Sequence, residues 1–190
     1  LLAREVQRSL LPLENPNISG LDIAGTSIYC DETGGDYYDY YLKTNERGVG
    51  KISMVVGDLS GHGLASALLM ASARALLRQR TSLSGSIADI VTDVNRELAV
   101  DISESGNFMT LFYLTIDIQS RKMQWVRAGH DPAIFYDPNT DTFDELQGNG
   151  VALGVDESWM YDEYEKTGLT EDQIIFIGTD GIWETKNAQE

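Results

Sequence analysis

Leu2, Val6 and Leu10 recur every four positions with Leu13 close behind, so residues 1 to about 11 predict an amphipathic helix that Pro12 stops. From Gly20 onward the pattern changes to strands: residues 21–30 and 37–42 are short β-rich runs, separated by an acidic stretch with the Gly34-Gly35 pair. Residues 52–57 form a continuous apolar run, predicting a strand covered on both sides that ends at Asp58. After a turn at 60–63, residues 64–80 carry Ala and Leu around most of the circumference and predict a buried helix. A second helix spans 84–102, opened by Ser86 and Asp89 in a capping-box arrangement and striped by Ile87, Ile90, Val91, Val94 and Leu98. Residues 109–118 and 122–128 predict a hairpin around Gln119-Ser120-Arg121, and 133–136 a strand closed by Asp137-Pro138-Asn139. Beyond an irregular stretch at 148–154, strands are expected at 161–167 and 174–178, and 182–190 reads as a helix or loop only just begun.

Strands outnumber helices, and the two long helices are consecutive instead of alternating with strands. That order excludes a doubly wound parallel sheet and predicts an α+β fold of antiparallel sheets covered by helices. The chain has 190 residues, 42% of them hydrophobic and 23% charged, which fits one globular domain and excludes collagen-like or low-complexity architecture. Cys30 is the single cysteine, so neither an internal disulfide nor a cysteine-ligated zinc site is available, and Cys30 is read as core filling in a reducing, cytoplasmic setting. No apolar run approaches the roughly 18 residues of a membrane span and no signal-peptide pattern opens the chain, so no membrane partner is expected. The sequence starts in mid-pattern without Met and reads as a fragment of a longer protein. Residues 1–13 are expected to form a linker or switch helix, and 14–190 the main domain.

The formal net charge of −16 is uneven. Residues 131–190 carry 15 acidic side chains against Lys166 and Lys186, a net −13, whereas the first 130 hold 12 basic and 15 acidic residues, a net −3. A phosphate backbone would be repelled, so nucleic acid is excluded as a partner. Most of these carboxylates read as a solubilising surface.

Two segments repeat one design: Met54-Val55-Val56-Gly57-Asp58 and Ile175-Phe176-Ile177-Gly178-Thr179-Asp180 each lead an apolar strand through a small residue to an aspartate. Such a carboxylate is costly to desolvate unless something pairs with it, and no Lys or Arg is near either one in sequence. Each taken alone reads as a turn or helix cap; the repetition favours a divalent cation, and oxygen-only ligation suits Mg²⁺ or Mn²⁺. In Gly34-Gly35-Asp36-Tyr37-Tyr38-Asp39 the strand period lets only one aspartate easily face a shared site. Asp36, nearest the glycines, is the candidate, and Asp39 is left a surface or turn hydrogen bond. His62 and His130, both in glycine-containing turns, read as structural donors, with substrate contact the alternative for His62. The three tryptophans and nine tyrosines read as packing.

Gln7-Arg8-Ser9-Leu10-Leu11-Pro12, residues 34–39, Gly57-Asp58-Leu59-Ser60-Gly61-His62-Gly63, Ala128-Gly129-His130-Asp131-Pro132 and Thr179-Asp180-Gly181 stand in an order that resembles the PPM-type metal-dependent serine/threonine protein phosphatases, in their bacterial SpoIIE-like branch. The resemblance spans practically the whole chain. It implies an αββα sandwich of two antiparallel sheets with two Mn²⁺ or Mg²⁺ ions at one end. By the same resemblance, Asp58 bridges both ions, the Leu59 carbonyl and Asp180 each help to hold one, and Asp36 acts directly or through water. A metal-bridging water then attacks a phosphoserine or phosphothreonine phosphorus, with Asp36 and Asp58 the catalytic carboxylates. Gly35, Asp39, His62, His130 and Gly181 are candidates for substrate contact or for support of the metal ligands.

Members of the family end in a further strand preceded by an acidic pair, which this sequence lacks, so the domain reads as C-terminally truncated and one ion is expected to bind weakly or be lost. The implied substrate is a phosphorylated anti-sigma-factor antagonist, with a sensor or receiver domain upstream in the same chain and homodimerisation as one route of control. Two rivals stay open at this point: a catalytically silent partner-binding module, and a small-molecule phosphomonoesterase.

Overall fold

A computed structural model describes residues 2–28, 33–46, 48–61, 63–102 and 106–183. The elements are α1 (Leu2–Leu10), β1 (Tyr37–Asn45), β2 (Gly48–Leu59), α2 (Leu64–Thr81), α3 (Ile87–Ile102), β3 (Met109–Asp117), β4 (Lys122–Ala128), β5 (Ala133–Asp137), β6 (Thr142–Leu146), β7 (Tyr164–Thr167), β8 (Ile174–Phe176) and a 3-10 turn at Asp180–Ile182.

Local chemistry sets the boundaries. The α3 capping box is reciprocal: the Asp89 amide donates to Ser86 Oγ at 3.0 Å, and the Ser86 amide donates to Asp89 Oδ2 at 2.9 Å. At the β3–β4 hairpin the Asp117 carboxylate accepts from the amides of Gln119 and Ser120 at 3.1 and 2.9 Å, and Arg121 adopts a φ of 50°.

The strands form two antiparallel sheets, ordered β1-β2-β3-β4-β7 and β6-β5-β8. The strand period of two gives the larger sheet two apolar faces. One carries Tyr37, Val55, Leu59, Leu111, Tyr113 and Val126 against Met70, Ala73 and Leu77 of α2 and Ile90, Val91, Val94 and Leu98 of α3. The other carries Ile52, Phe112, Leu114, Met123 and Trp125 against Ala133, Phe135 and Leu146 of the smaller sheet. The expected α+β architecture of two antiparallel sheets with flanking helices is the one observed. Among the described residues the helices cover one outer face.

Several expectations are corrected. Among the described residues 21–28 no strand forms beyond the isolated Ile18–Leu21 bridge, although exposure alternates there. An alternating face reports which side is covered, but only a neighbouring strand with free backbone groups makes a ladder. The strand expected at 161–167 is confined to Tyr164–Thr167, and β6 was not anticipated, because four of its five positions are exposed and carry no apolar alternation. Helix α2 is covered on one side only, with Leu64 and Leu68 exposed. Trp125 packs between the sheets, whereas Trp183 is half exposed. Cys30, His62 and residues 184–190 lie outside the described residues. No helix among the described residues is long and apolar enough to cross a membrane.

Candidate metal centre

Strand register brings the first two carboxylates together. β1 and β2 pair Tyr37 with Gly57, so one step further along the same antiparallel register sets Asp36 opposite Asp58. Gly35 makes this approach feasible: its carbonyl accepts from the Leu59 amide at 3.3 Å, and a Cβ on it would lie 2.4 Å from the Leu59 carbonyl oxygen and 3.1 Å from Asp58 Oδ1. Asp58 is in turn paired across β2–β3 with Thr110. The period of two puts the side chains of Asp58 and Thr110 on the inter-sheet face, at its end, in line with Ile52, Phe112 and Leu114.

The smaller sheet supplies the third group. Beyond β8 the chain runs through Gly178 and Thr179 to Asp180, which opens the 3-10 turn and is exposed. Thr179 hydrogen-bonds the Asp36 carboxylate, tying this segment to the first.

The electrostatics follow from that convergence. Burial first, and then the negative charges of Asp36 and Asp180, together push the Asp58 carboxyl up to about 7. Asp36 is also raised, first by burial and further by Asp180, against the Thr179 hydrogen bond. Among the described residues no Lys or Arg forms an ion pair with any of the three. The carboxylates and the Leu59 carbonyl are oxygen donors, the type that a hard divalent cation takes.

The set is not a closed cage. Among the described residues no three His, Cys, Asp or Glu side chains stand close enough to hold an ion by themselves. A cavity of about 750 Å³ lies at the other end of the larger sheet, lined by Lys43, Lys51, Ser53, Tyr113 and Thr115 and by none of the three aspartates.

Asp39 stands apart from this cluster. It is buried on the helix side of β1, accepts from Arg78 Nε and Nη2 at 2.7 Å each and from the Tyr37 hydroxyl at 3.0 Å, with Arg74 Nε at 3.9 Å. The expected surface or turn role is therefore corrected to a buried ion pair. His130 is buried, with Nδ1 2.8 Å from Thr110 Oγ1 and Nε2 3.1 Å from the Gly178 carbonyl. Gly181 falls within the 3-10 turn, and a Cβ there would meet nothing within 4 Å. Thr179 stands in the Thr179-Asp180-Gly181 motif without being one of the candidate site residues, and Thr110 lies outside every motif, placed at the site by the β2–β3 register.

The family model described as Stage II sporulation protein E (SpoIIE) matches residues 48–190. The chain belongs to the SpoIIE family. This SpoIIE-family chain is 25% identical over 185 residues to the phosphoserine phosphatase RsbU of Bacillus subtilis, covering 97% of this chain and 53% of that protein. It is 28% identical over 188 residues to the phosphoserine phosphatase RsbP of the same organism, covering 95% of this chain and 44% of that protein. The chain thus spans about half the length of the curated relatives it matches. The SiaA PP2C domain of Pseudomonas aeruginosa shares the fold, with a TM-score of 0.73 at 22% identity over 95% of this chain and 70% of that one.

Proposed function

We propose that this SpoIIE-family chain is the catalytic region of a divalent-cation-dependent phosphatase that hydrolyses phosphoserine or phosphothreonine in a protein. The observation that carries this reading is the Asp58 carboxyl, pushed up to about 7 between Asp36 and Asp180 with no Lys or Arg ion pair to any of the three among the described residues. In this reading Asp36, Asp58, Asp180 and the Leu59 carbonyl hold Mn²⁺ or Mg²⁺. Cations held there would supply Lewis-acid chemistry, lowering the pKa of a bound water and stabilising negative charge on the phosphate oxygens.

The chain's own groups have distinct tasks. Asp58 and Asp36 supply negative charge from the ends of adjacent strands, Gly35 keeps the two strand ends in contact, and Thr179 orients Asp36. The repulsion among the carboxylates, wasteful in the bare site, is relieved when cations enter, so the positive charge that results can draw a phosphate dianion toward an otherwise acidic chain.

The substrate proposed is a phosphorylated anti-sigma-factor antagonist in the cytoplasm; the kinship with the phosphoserine phosphatases RsbU and RsbP supports its phosphoserine part. A sensor or receiver domain upstream, acting through α1 or through homodimerisation, is the proposed control. Comparing hydrolysis of a phosphoserine protein and of a small aryl phosphate, each with Mn²⁺ or EDTA and with wild type or Asp58→Asn, tests the reading. Cation-dependent hydrolysis of the phosphoprotein, lost in the variant, supports it. Preference for the aryl phosphate, or activity indifferent to Asp58, overturns it.

A further inference from the structure

His130 belongs neither to the carboxylate set nor to either apolar core, yet it is 3% exposed. Its two ring nitrogens reach two different layers of the fold. Nε2 lies 3.1 Å from the carbonyl oxygen of Gly178, two residues before Asp180, on the segment leaving the smaller sheet. Nδ1 lies 2.8 Å from Oγ1 of Thr110, the residue paired with Asp58 in the larger sheet.

The chemistry of the partners assigns the ring's tautomer. A carbonyl oxygen can only accept, so Nε2 carries the proton and donates; in a neutral imidazole Nδ1 then accepts, and the Thr110 hydroxyl is its donor. Burial lowers the imidazole pKa, which keeps the ring neutral. Of the charged groups facing it, Asp131 and Asp180 favour a charge on the ring and Arg127 opposes one, and burial outweighs the two carboxylates. The backbone is held as well, because the Arg127 guanidinium donates to the His130 carbonyl and, at 3.0 Å, to that of Gly148.

We infer that His130 is a positioning residue, a strut whose two hydrogen bonds hold the Gly178–Asp180 segment against the Asp58-bearing edge of β2 and β3. It touches neither substrate nor cation and acts through the backbone that places Asp180. The inference rests on the reading that Asp58 and Asp180 share a cation site. Residues that orient ligands in this way typically change metal affinity by roughly 10–100-fold when removed.

The test is Mn²⁺ binding by the full chain, followed through the EPR signal of free Mn²⁺, for wild type, His130→Ala, His130→Gln, Asp180→Asn and the His130→Ala/Asp180→Asn double variant. Thermal melting without metal is recorded in parallel. Removing the strut is expected to weaken Mn²⁺ binding roughly 10-fold or more. His130→Gln, whose amide can still donate to the Gly178 carbonyl, is expected to recover most of that loss. In the Asp180→Asn background His130→Ala should change affinity by less than about 2-fold, because the two groups act as one unit. A folded His130→Ala chain that binds like wild type, or a loss of equal size in both backgrounds, overturns the inference. If wild type itself binds no Mn²⁺, the cation reading fails, and ¹⁵N NMR of the His130 ring decides the strut separately. A neutral ring protonated on Nε2 supports it, and protonation on Nδ1 or on both nitrogens overturns it.

Discussion

Gln7 holds Gly34 by both ends of its side-chain amide: Nε2 donates to the Gly34 carbonyl at 2.6 Å, and the Gly34 amide donates to Oε1 at 3.1 Å. Gln7 is buried, and Gly34 precedes the glycine that abuts Leu59 and Asp58. Gln7→Ala is expected to cost about 1–2 kcal/mol in urea unfolding, since both Gly34 groups lose a partner in a partly buried place. Gln7→Glu keeps the acceptor but sets a carboxylate oxygen against the Gly34 carbonyl, so its loss should be larger. If α1 bears on the cation site through this clamp, both variants lose phosphatase activity at temperatures where they remain folded.

Gly35→Ala is expected to damage the site more than the fold. The added methyl meets the Leu59 carbonyl oxygen at 2.4 Å, and backbone cannot move aside as a flexible side chain can. Activity of the purified variant should fall at least about 10-fold while melting shows a loss of only ~1–3 kcal/mol.

Much of this was legible in the sequence. The α3 stripe with its capping box and the hairpin around Gln119-Ser120-Arg121 rest on local chemistry that neighbouring residues settle among themselves. What stayed hidden was settled by partners far along the chain. Asp39 reads as a surface residue until α2 brings Arg78 to it across 39 positions. Exposed β6 has no apolar signature and exists because β5 offers it a ladder, whereas residues 22–28 alternate like a strand and find no such edge among the described residues. Thr110 enters the site through its register with Asp58, a partner 52 positions away in sequence.

Asp39 and Asp58 should therefore respond differently to the same kind of change. Removing Asp39 leaves Arg78 and Arg74 facing a buried void, so Asp39→Ala is expected to lower stability by about 3 kcal/mol and leave Mn²⁺ affinity within a few-fold of wild type. Asp58→Asn should do the opposite, abolishing cation binding and leaving the cation-free fold intact or firmer. Chemical denaturation beside metal titration of the two variants checks the contrast.

The raised Asp58 carboxyl also fixes the sign of a pH dependence. Its pKa in the folded, cation-free chain is about 7, above the 3.8 of a free side chain, so the folded state keeps the proton to higher pH than the unfolded state does. The stability from this group is complete below about pH 4 and is lost as pH rises through about 7. After allowance for solvent screening it amounts to something on the order of 1–2 kcal/mol. Melting in EDTA from pH 4 to 8 should show this decline beyond that of Asp58→Asn, and saturating Mn²⁺ should reverse it, because a bound cation favours the ionised carboxylate.

Equilibrium binding of Mn²⁺ to the wild-type chain and to Asp58→Asn, with Asp39→Asn as the folded control, addresses the central claim most directly. The account predicts saturable binding in wild type and in Asp39→Asn, and a loss of at least about 100-fold in Asp58→Asn, the residue that faces both other carboxylates. Equal affinity in all three proteins, or no binding in any of them, contradicts it.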